Sequence, residues 1–294
     1  MSTIDPVASI AVSTASPRST SRAWRKLKAN KGALIGLVII LFFVGLAIAA
    51  PLLPIPDPIA TSWSSIRKAP SAAHWLGTDD IGRDILSRMI WGARASLMAG
   101  IFSVAIAVVI GVPLGLISGY FGGWIDMIIS RVTEAFLAMP FLIMAIALAA
   151  FLGPSLTNAM IAIGLSAMPV FIRLTRGQVM AVKTEEYVEG ARSIGLRHFS
   201  IITRYILPNV LAPILVQATL TIATAIIAEA SLSFLGLGQQ PPAPSWGSML
   251  NVAKNFLGQA PWMAMWPGAA IFLVVIGFNL LGDGLRDALD PRDA

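Results

Sequence analysis

Five stretches of this chain run without a charged residue for long enough to cross a hydrocarbon core. They lie between Lys31 and Asp57, Arg94 and Asp126, Glu134 and Arg173, Arg204 and Glu229, and Lys254 and Asp283. A spanning helix needs about 20 mostly apolar residues to cross roughly 30 Å. The third stretch is too long for one helix, and Gly153-Pro154-Ser155 sits in its middle as a turn signal. Six spans follow, near residues 33–53, 96–119, 132–152, 156–173, 208–229 and 264–282. The fold class expected is an all-α membrane protein, because a β-barrel would show short alternating segments instead.

Composition narrows the chemistry. The chain is 56% hydrophobic and 12% charged, with a mean hydropathy of +0.77, which sets it apart from soluble domains. It has no cysteine, so disulfides, thiolate metal sites and thiol catalysis are excluded. His74 and His198 are its only histidines, and no GxxxxGK[ST] phosphate loop occurs. The net charge of +6 is read as loop charge that fixes orientation, without nucleic acid as a partner.

Lys and Arg set that orientation. With the N-terminus inside, the inner pieces hold six in the tail, Arg131, six from Arg173 to Arg204, and Arg286 and Arg292. The outer pieces hold Arg67, Lys68, Arg83, Arg88, Arg94 and Lys254, so the bias favours both termini inside. Arg83, Arg88 and Arg94 cluster on the outer side and weaken that bias locally. All eight tryptophans fall outside or at the ends of the spans, the depth amphipathic rings prefer. Residues 1–32 form a basic tail whose Ser-, Thr-, Ala- and Pro-rich part, 1–21, is expected to lack fixed structure. Residues 33–294 form the six-span domain, with outer loops at 54–95 and 230–263 and an inner loop at 174–207. Ala47–Ala50 resembles a leader cleavage site, but about 32 polar residues precede an apolar run too long for a leader.

Three features stand out within this frame. Gly111, Gly115 and Gly119 repeat every fourth residue of the second span, a stripe that lets another backbone approach closely; Pro113 adds a potential kink. Glu134 and Glu229 lie near span ends, where a solvated or neutral carboxyl is expected because a charge in hydrocarbon costs roughly 3 kcal/mol. Finally, residues 174–207 form a long polar and basic loop with helical spacing and glycines at 190 and 195. It reads as a short helix, a turn at Gly195, a second short helix, and Pro208 opening the fifth span. Such an element is either a docking surface or an ordinary charged loop.

Within it, Glu189-Gly190-Ala191, three residues, Gly195, nine residues and Tyr205-Ile206-Leu207-Pro208 resemble the EAA loop of ABC importer permeases, E-A-A-x3-G-x9-I-x-L-P. Gly190 stands where that pattern has Ala, and Tyr205 where it has Ile. Two further blocks, HWLGTDDIGRDILSRMIWGARASL from His74 and EASLSFLGLGQQPPAPSWGSML from Glu229, are similar to the C-type permease subunit of dipeptide and oligopeptide importers. The resemblance runs from about residue 22 to the C-terminus.

It implies a type I ABC importer permease in the cytoplasmic membrane of a prokaryote, forming half of a pore with a second homologous permease subunit. It further implies two cytoplasmic ATPase subunits, which use ATP and Mg, and an extracytoplasmic solute-binding protein; no cofactor, metal or catalytic residue is expected in this chain. Glu189, Gly190, Ala191, Arg192, Gly195, Leu207 and Pro208 would couple to the ATPases. The semi-rigid outer stretch Gln239–Trp246 would either contact the binding protein or serve structural packing alone. Permeases for nickel, glutathione or other small solutes share these blocks. A proton-coupled transporter would need ionisable groups near the midplane, where none is read here. An intramembrane hydrolase would need a Ser/His or paired-Asp arrangement at depth, and no His or Asp lies inside a span.

Overall fold

The computed structural model describes residues 19–289, with side chains from residue 24. In chain order the α-helices are α1 (Ser19–Ala29), α2 (Lys31–Ala49), α3 (Ile85–Phe121), α4 (Gly123–Leu137), α5 (Phe141–Leu152), α6 (Leu156–Val182), α7 (Glu186–Ser193), α8 (His198–Ile201), α9 (Leu207–Phe234), α10 (Trp246–Ala253) and α11 (Trp262–Leu289). No strand occurs among the described residues. The expectation of an unstructured tail falls outside them for residues 1–18, and Ser19 already begins α1.

Several helices start where a short polar side chain accepts an otherwise orphaned backbone N–H. Asn30 Oδ1 takes Ala33 N at 3.1 Å, Asp84 Oδ1 takes Ser87 N at 2.9 Å and Ser155 Oγ takes Asn158 N at 3.0 Å.

Five segments are long and apolar enough to cross a membrane: Lys31–Leu52, Ile85–Phe121, Leu156–Val182, His198–Phe234 and Trp262–Leu289. The expected third span differs. It is broken, with α4 and α5 meeting at 92°. Pro140, which has no N–H to donate, sits at the break with an extended ψ of 130°. The 12 residues of α5 rise only about 18 Å, short of a full crossing. α4 instead lies across α6: Asp126 pairs with Arg176, while Leu137, three turns later, borders a pocket beside Ile172, only one turn from Arg176. Counting charge-free residues measures length and not direction, so this bend is invisible to it.

The other crossings are longer than expected. α3 begins at Ile85 and has 37 residues, about 55 Å of helix, and runs through Pro113 without a break. α6 continues to Val182, and α9 reaches Phe234. Pro208 does not open a span. His198–Phe234 is one helical stretch in which Ile202–Ile206 takes the wider π form just before Leu207, accommodating a proline that cannot donate to Arg204 four residues back.

α3 and α6 run parallel and form the most extensively packed helix pair. A Cβ on Gly111 would meet Phe171 Cβ at 2.8 Å, one on Gly115 would meet Thr175 Cβ at 2.6 Å, and one on Gly119 would meet Val179 Cβ at 2.8 Å. The glycine stripe therefore lies directly on α6. The main core gathers Val104, Ala107, Ile163, Phe171, Val210 and Ile214 from α3, α6 and α9. A second cluster joins α2, α3, α9, α10 and α11 through Ile40, Phe43, Ala93, Ile226, Trp246 and Val274.

Opposite the end that carries α7 and α8, residues 53–84 and 236–261 form a cap. Arg83 and Arg88 are buried there, with Asp79 Oδ2 at 2.6 Å from Arg83 Nε and 3.4 Å from Arg88 Nε. These two arginines are thereby tied up inside the cap, while Arg94, the third of the outer cluster, stays exposed. Burial and the neighbouring Asp79 push the Asp80 carboxyl above its ordinary pKa. Of the two expectations for Glu229, solvated or neutral, burial removes the first, since the residue is fully buried. It accepts from Ser233 Oγ at 2.7 Å and Ser96 Oγ at 3.2 Å, and Ser96 Oγ in turn accepts Trp246 N at 3.2 Å. One carboxyl thus ties α3, α9 and α10 together. Glu134 lies on the surface of α4, its side chain 62% exposed and 3.0 Å from Arg131.

Two outcomes follow from this packing. Gly115→Val forces α3 from α6 and lowers stability by about 1–3 kcal/mol, read as a lower Tm of the purified protein. Gly45→Ala, which meets nothing within 4 Å, leaves Tm unchanged. Glu229→Ala strands the buried serine hydroxyls and costs about 1–3 kcal/mol, whereas Glu229→Gln, which keeps an acceptor, loses less in the same melt.

Candidate coupling segment

The inner loop is shorter than the sequence suggests. α6 extends nine residues past Arg173, leaving residues 183–201 as the segment between α6 and the stretch that becomes α9. It folds back as α7, a turn and α8. Gly195 sits in the turn with φ 77°, a backbone region where a side chain on Cβ is disfavoured. Nothing lies within 4 Å of a Cβ built there, so the need for glycine is conformational and not steric. Gly190 lies inside α7 with open space around it; the Ala of the related pattern fits without rearrangement.

α7 is two-sided. Val188 and Ala191, at i and i+3, are buried, while Glu189, Gly190 and Arg192 are exposed. Ile201 and Ile206 are fully buried, fixing α8 and the π turn to the core. Leu207 packs against that core and Pro208 is exposed. Tyr205, where the related pattern has Ile, also packs against the core. Glu189, Gly190, Arg192 and Gly195 thus share the free surface, Ala191 roots it, and Leu207 and Pro208 belong to the base of α9.

The free surface includes residues that spacing alone passed over. Ile194 is 75% exposed and Phe199 78% exposed, flanking the Gly195 turn, and Tyr187 is 45% exposed. Glu185, Glu186, Glu189, Arg192 and Arg197 surround them. Burial and the nearby Glu185 carboxylate raise the Tyr187 hydroxyl above its usual pKa. Large apolar side chains ringed by charges, held on a fixed base, have the make-up of a protein-docking patch. The signal was present in the sequence as Ile194 and Phe199 bracketing a turn glycine, but exposure cannot be read without the fold.

The segment also grips α3. Lys183 Nζ donates to Gly119 O at 2.9 Å, and the Tyr120 hydroxyl and His198 Nδ1 are 2.8 Å apart. Arg192 Cζ lies 5.7 Å from the centroid of the Tyr120 ring. Among the described residues, no group of three or more His, Asp or Glu is placed to hold a metal ion.

Comparison with known proteins agrees with this architecture. Residues 111–293 match the family of binding-protein-dependent transport system inner membrane components, and residues 20–70 match the N-terminal TM domain of oligopeptide transport permease C. The chain is 52% identical over 270 residues to the dipeptide transport system permease protein DppC of Alkalihalophilus pseudofirmus, covering 92% of this chain and 89% of that protein. It is 44% identical to the glutathione transport system permease protein GsiD of Pectobacterium atrosepticum, over 92% of this chain and 90% of that one. To DppC of Haemophilus influenzae it is 44% identical, over 92% and 93%. In structure, an inward-facing form of the MetNI methionine ABC transporter superposes with a TM-score of 0.56 at 21% identity, covering 70% of this chain and 96% of the matched chain. The broken and full-length spans, the bent segment and these likenesses make this multi-pass membrane protein a member of the binding-protein-dependent transport system inner membrane component family, with the type I ABC importer permease fold.

Proposed function

We propose that the chain is one half of the translocation pore of a peptide importer in the cytoplasmic membrane of a prokaryote, paired with a second homologous permease. Two cytoplasmic ATPase subunits, which bind ATP and Mg, drive it through residues 183–201. An extracytoplasmic binding protein delivers the solute to the cap. The observation that carries this reading is the Gly195 turn. It presents Ile194 and Phe199 to solvent while Val188, Ala191 and Ile201 anchor the same segment in the bundle. A patch so rooted transmits a push and does not absorb it, and through α8 and the π turn it continues directly into α9.

Peptide as the solute is supported by the dipeptide permeases of two organisms, one of them 52% identical. A cleft of about 690 Å³ between α6, α9 and α11 adds chemistry that suits it, since Gln178, Asn209, Gln217 and Arg286 line it. Amides pair with peptide bonds, and a guanidinium pairs with a terminal carboxylate. Glutathione is the second reading, carried by the relative at 44% identity. In cells lacking other peptide importers, labelled dipeptide uptake competed by unlabelled dipeptides and not by glutathione decides for the first; the reverse pattern decides for the second.

Two measurements test the coupling role. Cysteine at Glu189 or Phe199 is expected to cross-link to an ATPase subunit, and cross-linking to none overturns the assignment. Gly195→Val, which strains only the backbone by about 1–2 kcal/mol, is expected to leave membrane insertion intact while abolishing solute uptake.

A further inference from the structure

The segment facing the ATPases is joined covalently to α6 at Lys183 and, through α8 and the π turn, to α9, and Val188, Ala191 and Ile201 root it in the core. It also meets the inner end of α3 through side chains, with Lys183 Nζ on Gly119 O and a group of contacts gathered on Tyr120. This residue is 7% exposed and follows Gly119, whose Cα lies against Arg176 O and Val179 of α6. Its hydroxyl is 2.8 Å from His198 Nδ1, and the two rings meet edge-on with centroids 5.6 Å apart. Phe121 packs on the same imidazole at 5.8 Å, and Arg192 of α7 lies over the Tyr120 ring at 5.7 Å. One tyrosine therefore meets side chains from both arms of the bent segment, on either side of Gly195.

From this geometry we infer that Tyr120 and His198 form a latch that makes α3 move with the coupling segment. They are positioning residues for transport, acting through the segment and not on the solute. Force entering at Ile194 and Phe199 reaches α6 and α9 through the chain itself. The latch adds a direct hold on the inner end of α3, beside the Lys183 contact to Gly119 O and the glycine stripe, so that α3 follows the segment's own movement and is not moved through α6 alone. The ring contacts set where the two side chains lie, and the hydrogen bond fixes their registry, since a partly buried hydroxyl left without its partner loses that specific preference.

The inference rests on the coupling role proposed above, and the experiment separates the two. Variants are made in the full transporter with both ATPases and the binding protein, reconstituted in liposomes, and solute uptake is measured per ATP hydrolysed. Tyr120→Phe keeps the ring and the Arg192 contact but removes the hydroxyl. It is expected to assemble normally, cross-link to the ATPase from position 189 as before, and lower uptake per ATP about three- to tenfold, the range of one hydrogen bond. His198→Leu should reproduce that loss, and adding it to Tyr120→Phe should cost little more. His198→Asn, whose amide reaches the place of Nδ1, should restore most of the coupling. An unchanged ratio in Tyr120→Phe with cross-linking intact overturns the latch alone, as does a His198→Asn variant no better than His198→Leu. Loss of the position-189 cross-link in the unmodified latch background overturns the coupling role beneath it.

Discussion

The approach of α3 to α6 along Gly111, Gly115 and Gly119 governs the inner half of this molecule. Lipid offers helices no hydrophobic reason to associate, so contact must come from shape, and hydrogen-only faces supply the closest shape available. The consequence reaches beyond stability. By holding the last turn of α3 against α6, the stripe delivers Tyr120 and Gly119 O to the point where the chain leaves α6 and doubles back. Lys183, Arg192 and His198 then find partners that no loop possesses by itself.

The opposite end is held by a different kind of interaction. Asp79, Arg83 and Arg88 form a buried ionic group, and Glu229 joins α3, α9 and α10 through serine hydroxyls. Removing one partner from such a group leaves an uncompensated buried polar atom, so its value lies in specifying one arrangement of the cap. In the function proposed above, the cap at one end would receive the solute and the rooted patch at the other the mechanical work, with partners biasing the relative tilt of the helices between them by binding one arrangement better than another.

Much of this was legible before any coordinates. Charge-free length located the spans, and the spacing of Glu189, Gly195 and Pro208 marked out the bent segment for which the coupling role is proposed. The four-residue glycine period marked the face of α3 that meets α6. What escaped depends on direction and burial. Pro140 marks a break but not its angle, Arg83 and Arg88 lie close in sequence to Asp79 but show no sign there of being buried with it, and Glu229, near a span end, is fully buried with hydrogen bonds from Ser233 and from Ser96 133 positions away. Tyr120 and His198 lie 78 positions apart, and neither carries a motif.

The sequence alone therefore determined that the chain crosses a bilayer as helices, because unpaired backbone groups are intolerable in hydrocarbon and only long apolar stretches satisfy them internally. It marked too the glycine stripe at Gly111, Gly115 and Gly119 and the turn at Gly195 from spacing and residue type, while which backbone meets the stripe came only with the fold. The tertiary structure alone decided which polar groups meet. Hydrogen bonds and ion pairs act over about 3 Å, and only folding brings residues from separate helices within that distance.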